Sequence, residues 1–173
     1  MVVDSEQGTI DSPLHPKQVD IVPGAPKALA QLCQAGYVLA IVSNQPAWAK
    51  GKTTKKNLLL VHQRILSKLQ SAGGRIASSH LCLHKSEDSC ACRKPKTALL
   101  KDAIRQNGPF KKKDIWMVGD GIIDLQAGQA LGVQTVFVAK KKNDALQILR
   151  ENHVHPTRWA DDLLQFSNQL LSA

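Results

Sequence analysis

Val38-Leu39-Ala40-Ile41-Val42, running straight into Ser43-Asn44-Gln45-Pro46, is the stretch on which the fold turns. Five consecutive apolar residues are too few for a helix and do not alternate, so they match a strand buried on both faces, as in a parallel sheet covered by helices. The polar residues that close the run mark the carboxyl end of that strand, where ligands of open parallel sheets collect. Upstream, a helical pattern from about Ala25 to Ala35 is stopped by Gly36. Before it, Gly8, Pro13, Pro16, Pro23 and Gly24 mark a long irregular connection from a first short strand, Met1 to Asp4. Downstream, Leu58, Val61, Ile65 and Leu69 recur at i, i+3, i+7 and i+11, one apolar helical stripe that Gly73-Gly74 ends.

The alternation continues. Ile76 to Leu83 reads as a third strand, Thr97 to Ile104 as a helix, Ile115 to Val118 as a fourth strand and Thr135 to Val138 as a fifth. Between the last two, a helix runs to about Leu131 with Asp124 in its first turn, where a carboxylate suits the positive end of the helix dipole. Asn143 to Glu151 and Asp161 to Leu171 are further helices, and Thr157 to Trp159 is an edge strand or merely extended. Strands alternating with helices predict an α/β fold, three layers around a mostly parallel sheet. With 173 residues, 43% of them hydrophobic, the expectation is a single domain spanning residues 1–173.

The four cysteines admit either disulfides or reduced thiols. Three sit at metal-type spacing and the fourth, Cys33, lies in a helical pattern, so a reducing cytoplasm fits better. No apolar run approaches the ~20 residues of a membrane span, and Met1-Val2-Val3-Asp4 lacks the features of a signal peptide, so a cytoplasmic protein without membrane contact is expected. The formal net charge of +9 is concentrated in clusters at Lys50 to Lys56, Lys111 to Lys113 and Lys140 to Lys142. These are solvated faces or contacts for a polyanion. An aromatic content of 4% leaves few platforms for base stacking, which argues against nucleic acid as the partner.

The sharpest chemical signal is Cys82-Leu83-His84, five residues, then Cys90-Ala91-Cys92, followed at once by Arg93-Lys94-Pro95. Three thiols and one imidazole, Cys82, His84, Cys90 and Cys92, match the ligand set of a closed tetrahedral zinc site; the alternative is a chance cluster of reduced cysteines. A closed cage leaves no open position for water, so the chemistry belongs to what the zinc loop, residues 82–92, holds in place. That points to Lys94. Residues just past each strand then converge: Asp4 and Glu6, Ser43 with Asn44, Lys94, and Asp120 with Asp124. Carboxylates, a hydroxyl and an ammonium are the parts of a magnesium-assisted phosphoryl transfer.

The zinc loop fused to Arg93-Lys94-Pro95, together with Val42-Ser43-Asn44-Gln45-Pro46, Ala49-Lys50-Gly51 and Val118-Gly119-Asp120 with Asp124-Leu125-Gln126-Ala127-Gly128, resembles the haloacid dehalogenase superfamily of phosphohydrolases. Within it, the chain is similar to the essentially capless branch of heptose bisphosphate and histidinol phosphate phosphatases, from about Met1 to Leu171. The resemblance implies that Asp4 is the nucleophile forming an aspartyl-phosphate, that Glu6 is the general acid or base, and that Ser43 and Lys94 stabilise the transferring group. It further implies a magnesium ion held by Asp4, Asp120 and the Glu6 carbonyl with Asp124 orienting that shell, a structural zinc, and substrate contacts from Asn44, Lys50 and Arg93. Arg93 would fork onto a second phosphate or a sugar oxygen, whereas Lys50 stands where relatives often carry arginine.

The first motif departs from the family pattern Asp-x-Asp-Gly-Thr. Here Asp4-Ser5-Glu6-Gln7-Gly8-Thr9 has a glutamate for the second aspartate and one extra residue before the glycine. If the strand end sets the register, Asp4 is the nucleophile and Glu6 the acid; if Gly8-Thr9 sets it, Ser5 and Gln7 take those places and the site is inactive. The expectation is therefore a monomeric phosphatase for a small phosphorylated metabolite such as heptose 1,7-bisphosphate. A silent phosphoryl-ligand or protein binder and a nucleic acid end phosphatase are the alternatives.

Overall fold

The computed structural model describes residues 2–3, 12–140 and 142–172, and side chains over residues 12–140 and 146–172. Asp4 and Glu6, with the rest of the first motif through Thr9, lie outside the described residues, as does Lys141. The element order is β1 (Val2–Val3), β2 (Asp20–Ile21), α1 (Ala25–Gln34), β3 (Leu39–Asn44), α2 (Lys55–Ser71), β4 (Ile76–Cys82), α3 (Ala98–Asn107), β5 (Trp116–Gly119), α4 (Ile122–Leu131), β6 (Gln134–Val138), α5 (Lys142–Glu151), β7 (Arg158–Ala160) and α6 (Leu163–Leu171). Single 3-10 turns precede β2 and β5.

Local chemistry sets the helix ends. Gly36, at φ +85°, closes α1: its N–H donates to the Cys33 carbonyl at 3.1 Å while the Tyr37 N–H donates to Leu32 at 3.0 Å. This left-handed stop satisfies carbonyls that the helix leaves open. Thr54 caps α2 by accepting the Asn57 N–H at 3.0 Å, and Asp162 caps α6 by accepting the Gln165 N–H at 2.8 Å. The α2 stripe behaves as its period predicts, with Leu58, Val61 and Leu69 buried.

The parallel pairing is real but divided. β3 pairs with β4 in parallel, Ile41 opposite Ser79 and Asn44 opposite Cys82, with a register irregularity between Leu39 and Ala40. β6 lies between β5 and β7, parallel to both, so the segment around Thr157 to Trp159 resolves as a true strand. Helices pack on these strands, α3 on β4 and α4 on β5 and β6, while α1 packs on α6. One core cluster joins Leu125, Phe137, Leu149 and Val154, and another joins Val136, Ala160 and Phe166. The α/β class with parallel sheets and a cysteine–histidine loop agrees with the sequence reading.

Two details differ from it. Val2–Val3 pairs antiparallel with Asp20–Ile21 instead of joining the parallel strands. A two-residue apolar strand carries no period, and nothing in it specifies a partner or a direction. Val38 is 49% exposed and stands outside β3, which extends instead through Ser43 and Asn44, and β3 is half-buried along most of its length where burial on both faces was expected. Among the described residues no strand bridges β3 and β5, and a cavity of about 630 Å³ separates them, lined among others by Ile41, Leu58, His62, Val118 and Phe166. The carboxyl ends of β3 and β5 open into this cleft with Ser43, Asn44, Asp120 and Asp124 at its wall.

Candidate active site

Lys94 is the pivot. It lies on the irregular chain between β4 and α3, yet it is 8% exposed, a depth at which an ammonium requires partners. Its Nζ donates to the Val42 carbonyl at 2.6 Å and to Asp124 Oδ1 at 2.5 Å. Asp124, equally buried, also uses Oδ2 to accept the Gly121 N–H at 3.2 Å, so the carboxylate both caps α4 and holds the lysine. Capping and ion pairing thus coexist at one residue.

That geometry depends on a residue without a side chain. A Cβ built on Gly119 falls 2.6 Å from Asp124 Cγ, closer than any real contact, so only glycine at the end of β5 lets the carboxyl sit there. One residue on, Asp120 lines the cleft with Lys94, Asp124 and Ser43. Ser43 accepts a hydrogen bond from Gln45 Nε2 at 3.0 Å.

The zinc-type cage is assembled. The ligand atoms of Cys82, His84, Cys90 and Cys92 all lie within 4.8 Å of one another. Cys82 and Cys92 Sγ are 3.2 Å apart, Cys90 and Cys92 3.4 Å, and Cys82 and Cys90 3.7 Å. His84 presents Nδ1 at 3.2 Å from Cys92 and 3.6 Å from Cys82. A tetrahedral zinc with bonds of ~2.3 Å to sulfur has edges of ~3.8 Å, so these four atoms fit it after small outward shifts. Held this close, the thiols contend with one another. Burial raises Cys90, but hydrogen bonds from the Arg93 main chain and from Cys92 and Cys82 outweigh it and bring the thiol down to about 7. Burial, then the neighbouring sulfurs, push Cys92 up to about 12. A divalent cation held by Cys82, His84, Cys90 and Cys92 would resolve that conflict by taking the three cysteines as thiolates.

The cage is tied to the cleft. Cys82 is the last residue of β4, and its carbonyl accepts the Gln45 N–H at 2.7 Å. Lys96 Nζ donates to the Ser89 carbonyl at 2.9 Å and the Cys90 carbonyl at 2.6 Å, and Arg93 Nη1 donates to the His84 carbonyl at 3.2 Å. Arg93 therefore braces the loop. Neither Arg93 nor Lys50 is among the residues lining the cleft, whereas Ser43, Asn44, Lys94, Asp120 and Asp124 all are. Asn44 makes two bonds to the Lys94 main chain, its Nδ2 donating to the carbonyl and its Oδ1 accepting the N–H, both at 3.0 Å. Sequence reasoning quoted Gly119 only within the Val118-Gly119-Asp120 motif and gave it no role of its own, and it missed Lys96. The signal for Gly119 was its place before the Asp120/Asp124 pair; nothing in the sequence announced Lys96.

A family model described as HAD-hydrolase-like matches residues 91–166. The chain is 32% identical to a D-glycero-beta-D-manno-heptose-1,7-bisphosphate 7-phosphatase of Pseudomonas putida over 87% of this chain and 84% of the relative. It is 34% identical to the protein of the same name from Neisseria meningitidis serogroup A, over 87% and 80%. The fold superposes with a TM-score of 0.85 and 26% identity on a crystal structure of D,D-heptose 1,7-bisphosphate phosphatase from B. bronchiseptica complexed with magnesium and phosphate, covering 99% of this chain and 94% of that one. No helix among the described residues is long and apolar enough to cross a membrane. With such identity across most of both chains, and with the buried lysine–aspartate pair and the cysteine–histidine loop in place, the chain belongs to the HAD-like hydrolases, in the group of the heptose bisphosphate phosphatases.

Proposed function

We propose that this protein is a phosphatase of a small phosphorylated sugar, with a bisphosphate resembling heptose 1,7-bisphosphate as its substrate. The observation that carries the reading is the Lys94–Asp124 pair on the wall of the β3–β5 cleft: an ammonium fixed by a buried carboxylate where it lines a cavity is suited to a dianionic phosphoryl group. Relatives named for this activity support it, as does the superposed phosphatase with magnesium and phosphate.

In this reading Asp4 attacks phosphorus, the bond to the sugar oxygen breaks, and Glu6 protonates the leaving oxygen. Water then attacks the aspartyl-phosphate with Glu6 as base, releasing phosphate and restoring the carboxylate. Ser43 donates a hydrogen bond to a phosphoryl oxygen, and Lys94 offsets its charge. Asp120 on the cleft wall offers one of the hard oxygen donors that magnesium takes in ones and twos, Asp4 and the Glu6 carbonyl would supply the others in this reading, and Asp124, engaged by Lys94 and the Gly121 N–H, would orient that shell, so the donor set fits. When bound, that ion supplies charge neutralisation at the transferring group. The cysteine–histidine cage would hold zinc and keep the Lys94 loop in register. Arg93 and Lys50 are assigned to the substrate's outer phosphate or hydroxyls.

The test is phosphate release from a panel of sugar mono- and bisphosphates, with magnesium and with a chelator that spares zinc. Wild type turns over at least one of them only with magnesium, and Asp4→Asn and Lys94→Met abolish it. Undiminished release in Asp4→Asn overturns the nucleophile assignment. A second reading, a silent ligand-binding relative, is favoured by the extra residue in Asp4-Ser5-Glu6-Gln7-Gly8-Thr9 and by the antiparallel pairing of Val2–Val3. It predicts saturable binding of a sugar phosphate with no turnover.

A further inference from the structure

We infer that Asn44 is a positioning residue for Lys94, acting through the lysine main chain, in place of the substrate-contacting role its sequence position suggested. The inference deepens the phosphatase reading, and part of its test stands without turnover. Lys94 sits outside any helix or strand, so its N–H and C=O have no ladder to join, and both are taken by one side chain. The Asn44 carboxamide accepts from the Lys94 N–H and donates to the Lys94 carbonyl, each at 3.0 Å, reproducing with a side chain the two-bond exchange of a paired strand residue. Asparagine is matched to this task. Aspartate of the same shape has no donor for the carbonyl, alanine has neither group, and glutamine places its amide one carbon further out.

The clamp is as rigid as its anchor. Asn44 ends β3 opposite Cys82, and the next N–H, of Gln45, donates to the Cys82 carbonyl at 2.7 Å. A single strand end therefore grips the zinc loop where it begins, at Cys82, and where it delivers Lys94. The ammonium of Lys94 is held separately, by Val42 and Asp124. With the main chain fixed at one point and the amine at two, the side chain has one path between them. Release of the main chain lets the loop shift by the order of an ångström while the cage stays intact, because no cage ligand is among the partners of the Asn44 carboxamide.

The test is amine acylation of the full-length zinc-loaded protein, with peptide mass spectrometry following Lys94 against the exposed Lys101. In wild type Lys94 reacts far more slowly than Lys101. In Asn44→Asp and Asn44→Ala the Lys94 rate rises by about tenfold, as when a locked group gains an open state, at unchanged zinc content. Asn44→Gln does not restore protection. If Asn44→Ala does not fold, the isosteric Asn44→Asp carries the measurement. Where turnover is found, these variants lower kcat by ~10- to 100-fold, the scale of a ~1 Å misplacement. Lys94 labelling unchanged from wild type in the folded variants overturns the inference, as does a loss confined to KM, which would mark Asn44 as a substrate contact. Absence of turnover in wild type sinks the phosphatase reading alone, since labelling still reports on the clamp.

Discussion

Gly119→Ala should damage the site and the fold by amounts the structure sets. The new Cβ would collide first with Asp124 Cβ and Oδ2, both nearer than the 2.6 Å to Cγ, whereas ordinary contact begins at 3.4 Å, so the carboxyl or the β5 backbone must yield by about 1 Å. Asp124 cannot yield without loss, because the same motion stretches the 3.2 Å bond from the Gly121 N–H and moves Oδ1 relative to the Lys94 ammonium. Overpacking of this kind costs ~1–3 kcal/mol, and a misplacement approaching ~1 Å at a reacting group costs ~100-fold in rate. For a chain of this length ~2 kcal/mol lowers Tm by ~4–8 °C. Gly36→Ala is the control: it has open space around its Cβ but sits at φ +85°, so it should cost stability through backbone strain alone and leave turnover untouched. Thermal scans and steady-state kinetics on both variants separate the two effects. A Gly119→Ala protein with wild-type Tm and full turnover would show that Asp124 does not occupy the position assigned to it.

Lys94→Met leaves the buried Asp124 carboxylate unpaired and should cost ~3–5 kcal/mol, whereas Lys94→Met/Asp124→Leu should recover most of that without restoring turnover; equal Tm for the single and double variants would refute the pair's burial. Loading the cysteine–histidine cage with zinc should raise Tm and protect Lys94 from acylation, and magnesium should do neither, as followed by metal content and mass spectrometry. His62, half-buried on α2 at the cleft, has its pKa lowered by burial, so the folded state binds fewer protons than the unfolded one and the stability this represents is lost as pH falls through the ordinary value near 6.5. His62→Gln should therefore lose less Tm than wild type between about pH 7.5 and 5.5; an equal loss in both would deny the shift.

Much of this was legible because it is written in local pattern. The apolar run before Ser43 gave β3 to within a residue or two, the stripe Leu58, Val61, Leu69 gave the buried face of α2, and four ligands within eleven residues gave a cage whose atoms do gather. Each of those signals spans a few residues, and each is enforced by a period or by a metal's coordination number. What stayed hidden joins residues far apart. The guanidinium of Arg93 ends on the His84 carbonyl, and the Asn44 carboxamide reaches a peptide fifty positions away. A main-chain acceptor carries no side-chain identity, so no sequence motif announces it.

The first motif was illegible for a further reason, and it governs what the site can do. Met1 to Asp4 reads as a first strand, but two valines specify neither its partner nor its direction, and the structure pairs Val2 and Val3 with Ile21 and Asp20 in the antiparallel sense. Ile21, the β2 partner of Val2, lines the cleft between β3 and β5. Lys94 is held by Asn44, Val42 and Asp124, and Asp124 by the Gly121 N–H beside the space left at Gly119, all of them described residues outside β1. Among the described residues, the supports of Lys94 and Asp124 are thus separate from Val2–Val3. A variant confined to residues 4–9 should alter turnover while leaving Lys94 protected and phosphate binding intact; loss of both together would show that the first motif and the Lys94–Asp124 pair are one cooperative unit.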